Sequence, residues 1–226
     1  MNSTRRIAAA CAAACLALIA PSTAVGQTEP VPPPEQPDQL QWPPASTHGK
    51  LVPLPEEFYA PVTLPLCDSE VTITQEDVEP STYRALVTED GDTVVEYRGS
   101  IALDITRASD GATLEDILLD SAPVETYYAD GLSATFDYPG PAMVFAQEEV
   151  DIQALAEEGL PPAFLYLSGR LVSTITLESV PEPGGQPPAI AEVEIVENTT
   201  EYVFDVCDLL DQAAAGEQPD LTQPTG

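Results

Sequence analysis

Apolar and polar residues alternate along much of the chain between residues 67 and 210. Ile101, Leu103 and Ile105 are separated by more polar neighbours, and the segment 134–138 repeats the pattern. Successive side chains of a β-strand point to opposite faces, so a period of two predicts strands with one face towards a core.

Three Asp-Gly pairs, at 90–91, 110–111 and 130–131, divide this region at regular intervals. Both residues tolerate positive φ, so Asp-Gly between apolar segments predicts a tight hairpin turn. Gly99 lies inside the apolar segment 93–107. A glycine in that position predicts a bulge or a sharp bend in one long strand.

Helical signals are confined to short segments. Asp151 is expected to cap a helix over 152–158 that ends at Gly159 and Pro161. A second short helix is expected after Cys207. The predicted fold class is therefore all-β, an antiparallel β-sandwich or β-barrel of about 7–10 strands with one or two short helices.

The first 26 residues are predicted to be a signal peptide. Arg5 and Arg6 precede the uncharged apolar segment 7–20, and small residues precede a cleavage point after Gly26. The apolar segment is shorter than the roughly 20 residues that a membrane-spanning helix needs. We therefore expect a secreted protein, extracellular or associated with the cell envelope, with no transmembrane segment in its mature chain.

Proline content separates a linker from a domain. Eleven of the 24 prolines fall between Pro30 and Pro65, which predicts a disordered proline-rich linker over 27–62. The β-rich domain is expected to span 63–211. Small and polar residues predict a disordered tail over 212–226.

The mature chain contains two cysteines, Cys67 and Cys207, which bracket the predicted domain. An even pair of cysteines in an oxidising compartment usually forms a disulfide. Closing so large a loop is credited with about 5 kcal/mol in the chain-entropy model. The alternative is a pair of separately buried thiols.

The chain is strongly acidic, with a net charge of −31. Removing residues 1–26 leaves 5 basic residues, because two of the 7 lie there, against all 38 acidic ones. Such a field repels nucleic acid and anionic membranes and favours cations or basic partners. The alternative is an acidic surface that only keeps a secreted protein soluble.

The segment 63–211 contains no His and no Lys, and its two cysteines are expected to be bonded. These absences argue against Ser-His-Asp and Cys-His catalysis, His-ligated metals and lysine Schiff bases. The protein is therefore not expected to be an enzyme. A carboxylate-pair hydrolase stays an alternative, because glycosidases need only two acids at a suitable separation.

Calcium is the one cofactor that the acidic residues suggest, because it binds through six to eight oxygen ligands. Glu89, Asp90 and Asp92 place three carboxylates on one predicted turn, which makes them candidate ligands of a calcium-binding extracellular module. The other interpretation is a solvated hairpin turn, with no cofactor in the protein.

Three segments carry a resemblance to known proteins: YPGPAMVF (138–145), GLPPAFLYLSGRL (159–171) and VFDVCDLL (203–210). They resemble a group of small secreted actinobacterial proteins that have a signal peptide, Asp-Gly hairpins and a C-terminal V-D-x-C-x-L-L ending. The acidic insert 147–158 departs from the glycine-rich loop of that group. The group has no assigned activity, so the resemblance implies a secreted bacterial β-rich protein and supplies no site residues.

Together these patterns predict a secreted, acidic, non-enzymatic β-domain. Its expected partner is an extracellular protein or a cell-wall component, and nucleic acid is not expected to bind.

Overall fold

The structure is a computed structural model that describes residues 44–146, 148–181, 188–217, 219 and 221. The predicted signal peptide, the first part of the predicted linker and the end of the predicted tail lie outside the described residues.

The described residues form mainly antiparallel β-structure with two α-helices. The strands are β1 Val52–Pro53, β2 Val62–Leu66, β3 Ser69–Val87, β4 Thr93–Arg107, β5 Thr113–Leu119, β6 Val124–Tyr127, β7 Ser133–Pro139, β8 Ala142–Phe145, β9 Ala163–Ser168, β10 Arg170–Leu177, β11 Ile190–Asn198 and β12 Glu201–Asp205. The helices are α1 Glu149–Glu157 and α2 Val206–Ala214, and a short 3-10 helix covers Glu56–Tyr59.

Nine of these strands make one large sheet. Seven follow one another in the order β1-β3-β4-β6-β7-β10-β11, and the other two, β2 and β5, pair with β3 and β4. The two longest strands, β3 and β4, pair along almost their whole length. The first half of β3 also pairs with β2, and its second half pairs with β1. The first half of β4 pairs with β6 and its second half with β5. Two long strands therefore connect both halves of the large sheet.

An irregularity in the pairing of β3 with β4 separates these halves. Gly99 has a φ of 120°, and a Cβ atom there would lie 2.7 Å from the Cα of Ser81. The opposing strand is irregular at the same place, because the pairing register shifts twice between Asp77 and Thr82. Only glycine adopts this conformation without strain and also leaves room for the other backbone. Of the two predicted forms, a bulge or a bend, the register shifts support a bulge, which lies in β3 opposite Gly99.

The remaining three strands form a small sheet, β12-β9-β8, that continues three strands of the large one. The continuations run from β7 to β8, from β10 back to β9, and from β11 to β12. The kinks meet near Gly169, where a side chain would collide with the backbone of Thr199. Each of these three strands thus leaves one sheet and enters the other.

The small sheet is covered on both faces. All four residues of β8 and the first four of β9 are buried. Helix α2 packs against β5, β9 and β12. The buried side chains of both sheets belong to one hydrophobic core, which includes Phe58, Ile105, Phe164 and Leu210.

The all-β prediction is confirmed, and the architecture is sandwich-like, with sheets that do not close into a barrel. The three Asp-Gly pairs lie in the β3–β4, β4–β5 and β6–β7 turns, as predicted. The described residues contain twelve strands, which is more than the 7–10 expected. Counting each kinked strand once brings that number within the predicted range.

The predicted cap of the first helix needs correction. Glu148, and not Asp151, is the N-cap of α1. Asp151 lies at the third helical position, where its Oδ2 accepts a hydrogen bond from the backbone N–H of Glu148 at 3.1 Å. An acidic residue at this position forms the return half of a capping box, so an acid near the start of a helix can lie three residues after the true cap.

The folded region begins earlier than residue 63. Val52 and Pro53 pair with β3, and the side chain of Phe58 is only 1% exposed. The linker prediction gave most weight to proline content. Prolines are tolerated in this segment because it lies at an edge of the large sheet, where a missing N–H costs little. His48 and Lys50 consequently lie within the described structure.

The close approach of Ser81 to Gly99 predicts that replacing two glycines by alanine lowers the free energy of unfolding by different amounts. We expect Gly99→Ala to lower the free energy of unfolding by about 3 kcal/mol or more, because the backbone of Ser81 cannot retreat. Gly111→Ala should cost only about 1 kcal/mol, since its φ is also positive but nothing lies within 4 Å of the added Cβ. Urea unfolding followed by circular dichroism measures both, and equal costs would contradict this account.

Candidate functional site

The three predicted calcium ligands lie on the β3–β4 turn. The backbone of Thr88 closes this turn, donating to the carbonyl oxygen of Asp92 at 2.8 Å and accepting from the N–H of Gly91 at 3.1 Å. The side chains of Glu89 and Asp90 are exposed. Oδ1 of Asp92 accepts a hydrogen bond from the backbone N–H of Ala129 at 2.9 Å. Asp92 therefore ties this turn to the neighbouring β6–β7 turn.

Within the part of the chain that the structure describes, no three or more His, Cys, Asp or Glu side chains are grouped so that they could hold a metal ion. Glu89, Asp90 and Asp92 are close in sequence, but Asp92 already serves as a backbone acceptor. Calcium binding at this turn stays a prediction.

The two predicted disulfide partners do lie together. Sγ of Cys67, in the β2–β3 turn, is 2.09 Å from Sγ of Cys207, in the first turn of α2. The carboxylate of Asp205 caps this helix by accepting from the N–H of Cys207 at 2.7 Å. Burial raises the pKa of Asp205, and the hydrogen bond from Cys207 opposes that effect.

A buried arginine reinforces the same contact. Arg107, at the end of β4, is 7% exposed. Its guanidinium donates to Asp110 in the β4–β5 turn at 2.7 Å and to Asp211 of α2 at 2.6 Å. The hydrogen bond from Arg107 lowers the pKa of Asp110 and thus favours the ionised carboxylate. Helix α2 is therefore fixed to the large sheet by a covalent bond and an ion-pair cluster.

A buried glutamate lies on the core face of the large sheet. Glu125, on β6, is 3% exposed. Its Oε2 accepts hydrogen bonds from the hydroxyl of Tyr97 at 2.9 Å and from that of Tyr127 at 2.6 Å. Burial raises the pKa of Glu125, and the two hydroxyl donors only partly oppose that effect. Burial and the neighbouring carboxyl also raise the pKa of Tyr127.

Sequence reasoning missed Glu125 as a site residue. In the segment Val-Glu-Thr-Tyr, side-chain polarity favours Val124 on the core side, yet the register of β6 with β4 and β7 turns Glu125 and Tyr127 inwards. A carboxyl in this position accepts hydrogen bonds from two tyrosines, and burial raises its pKa. It is thus a titratable group built into the core.

The arginines on the outer surface form ion pairs across strands. Arg84 pairs with Glu96 at 2.6 Å, and Arg170 pairs with Asp137 at 2.6 Å and with Glu197 at 3.4 Å. These ion pairs join neighbouring strands of the large sheet. Most carboxylates have no such counterpart in the sequence, so the surface of the domain is acidic.

None of the helices in the described ranges is long and apolar enough to cross a membrane. Comparisons with protein-family models, with curated proteins and with solved structures find no match to this chain.

The role of Asp92 predicts a local loss of stability. Asp92→Ala removes the acceptor for Ala129 and should lower the free energy of unfolding by about 1 kcal/mol. Asp90→Ala, on the same turn but exposed, should change it by less than about 0.5 kcal/mol.

Thermal unfolding of both variants with calcium, magnesium or chelator at matched ionic strength also tests whether the turn binds calcium. A calcium-specific rise in melting temperature that both variants abolish would establish the turn as a calcium site.

The buried carboxyl predicts a pH dependence with a definite sign. Because the pKa of Glu125 is raised in the folded state, the unfolded chain loses this proton first as the pH rises. The stability that the proton provides is present at low pH and declines as the pH rises towards the raised pKa. Glu125→Gln keeps a neutral acceptor there, so the variant should be more stable than the parent at pH 8, and the difference should shrink on acidification.

Glu115→Gln is the matched control, because Glu115 is an exposed glutamate on β5. Its melting temperature should follow that of the parent at every pH. A constant difference between Glu125→Gln and the parent from pH 4 to pH 8 would contradict the assignment of a raised pKa.

Proposed function

We propose that this chain is exported and that its β-sandwich is a non-enzymatic binding domain for a basic extracellular or cell-envelope partner. The observation that carries the proposal is the imbalance of charge on the folded domain. The mature chain has 5 basic residues. Arg84, Arg107 and Arg170 are already committed to ion pairs within the domain. The surplus carboxylates are available to a partner of opposite charge.

The cysteine pair supports the exported location. Cys67 and Cys207 lie at bonding distance, and such pairs persist in oxidising compartments. The pair also joins the β2–β3 turn to α2 at the end of the folded region. A bond between residues so far apart in sequence restricts the unfolded chain and so stabilises the folded domain.

The predicted alternatives, a calcium module and a carboxylate-pair hydrolase, make different demands on the acids. Calcium needs several oxygens around one point. A hydrolase needs two carboxyls that face one cleft. Two of these carboxyls already accept hydrogen bonds within the domain. Asp92 accepts one from a backbone N–H, and Glu125 accepts two from tyrosine hydroxyls. Binding by an acidic surface instead uses carboxylate side chains that are exposed to solvent.

Export is tested by fusing residues 1–26 to a β-lactamase that lacks its own signal peptide. We expect resistance to ampicillin in bacteria that carry the fusion, because the enzyme acts only outside the cytoplasm. Leu16→Arg with Leu18→Arg interrupts the apolar segment and should abolish resistance, whereas Ser22→Ala should not. Resistance that survives both arginines would contradict export through this segment.

Partner binding is tested with the purified secreted chain and isolated bacterial cell envelopes. We expect retention at about 0.15 M salt that is lost at about 1 M salt, because attraction between exposed charges is screened. Retention at both salt concentrations would contradict an acidic binding surface. Hydrolysis of envelope glycans by the purified chain would favour the hydrolase instead.

A further inference from the structure

Two adjoining edges, β11 of the large sheet and β12 of the small one, combine an unpaired backbone with exposed apolar residues. Strand β11 pairs with β10, and β12, its continuation, pairs with β9. Among the described strands nothing pairs with the other side of either one. An unpaired strand edge presents a row of N–H and C=O groups that an extended peptide can complete.

The side chains on this edge include both charged residues that prevent association and exposed apolar residues that favour it. Natural edges are usually protected by charge, and Glu192, Glu194 and Glu201 fit that pattern. Val196, however, is 58% exposed and Tyr202 is 51% exposed. Two large apolar side chains on an otherwise acidic edge are typical of contact residues with a charged rim.

Tyr202 also has an unusual backbone. Its φ is 57°, in the left-handed region that bulky residues rarely adopt, and its side chain gains little burial there. Tyr202 and the partly exposed Leu167 lie between the paired positions Glu201–Ser168 and Val203–Tyr166. A strained and exposed tyrosine on an unpaired edge is better explained by contact with another molecule than by the stability of this one.

The charges on the edge decide which kind of molecule fits. Glu192 and Glu194 occupy alternate positions of β11, so they point to the same face. An added strand with Lys or Arg at alternate positions would place these residues opposite the glutamates. A second copy of this chain would instead bring glutamates towards glutamates, which destabilises a strand pair. Helix α1 also packs against β11, but Glu192, Glu194 and Val196 remain exposed beside it.

We propose that the edge formed by β11 and β12 binds an extended, basic segment of a partner protein by strand addition, with Tyr202 as its apolar anchor. This inference rests on the proposed function, since it names the surface and the partner of the same binding domain.

The probe is a ten-residue peptide of alternating valine and lysine with blocked ends, compared with its valine–glutamate analogue. Hydrogen exchange on the purified chain should show slower exchange of amides within 190–205 when the lysine peptide is present. The glutamate peptide should leave exchange unchanged. Protection confined to other strands, or equal protection by both peptides, would overturn the proposal.

Two variants test the anchor and the charge. Tyr202→Gly removes the side chain but suits a positive φ, so the protein should be at least as stable as the parent while affinity for the lysine peptide falls about tenfold. Glu192→Lys with Glu194→Lys should reverse the preference towards the glutamate peptide. Leu118→Ala, at an exposed position of β5, is the control and should leave the affinity unchanged.

Unchanged affinity in Tyr202→Gly would overturn the role of the edge. If the same variant still binds cell envelopes in a salt-sensitive way, the proposed function stands and the partner occupies another surface. If the parent chain itself does not bind cell envelopes, that result would instead contradict the proposed function. Sedimentation of the parent should show a monomer, and a dimer broken by Tyr202→Gly would assign the edge to a second copy.

Discussion

The close approach of two backbones at Gly99 and Ser81 is the constraint on which the rest of this fold depends. Strands β3 and β4 are long enough to serve both halves of the large sheet, and buried residues from both halves, such as Ala85 and Ile105, belong to one core. A Cβ at Gly99 would prevent the approach of the two backbones where these halves meet. On either side of this point β4 pairs with a different strand, β6 before Gly99 and β5 after it.

The second sheet depends on a different device, the kinks that carry three neighbouring strands out of the large sheet together. This arrangement leaves α2 to cover the small sheet, and a short helix needs additional contacts to stay in place. The Cys67–Cys207 pair and the Arg107 cluster provide them at the same end of the molecule. A charge left buried without its counter-ion is costly, whereas a surface ion pair contributes little, and Arg107 is largely buried although Asp110 and Asp211 are partly exposed. Arg107 is therefore more important for stability than Arg84 or Arg170.

The polar residues divide into those that maintain the fold and those that are available for binding. Asp92, Asp110 and Asp205 accept backbone or arginine hydrogen bonds, and Glu125 is enclosed by tyrosines. Among the described residues no such contact involves Glu192 or Glu194 of β11, whereas Glu197 contacts Arg170. A functional hypothesis based on the number of acids alone cannot make this distinction, because both groups contribute equally to the net charge.

The sequence by itself determined the all-β class, the Asp-Gly turns, the irregularity at Gly99 and the pairing candidates Cys67 and Cys207. These features depend on local conformational preferences or on the number of cysteines, both of which can be seen without knowing which strands are neighbours. Only the tertiary structure placed Phe58 in the core, turned Glu125 inwards and left Tyr202 on an open edge. Phe58 is buried by the packing of the 3-10 helix Glu56–Tyr59, and Tyr202 is open because β12 is the last strand of its sheet. The orientation of Glu125 is set by strand register, and shifting a register by one residue reverses which side chains face the core.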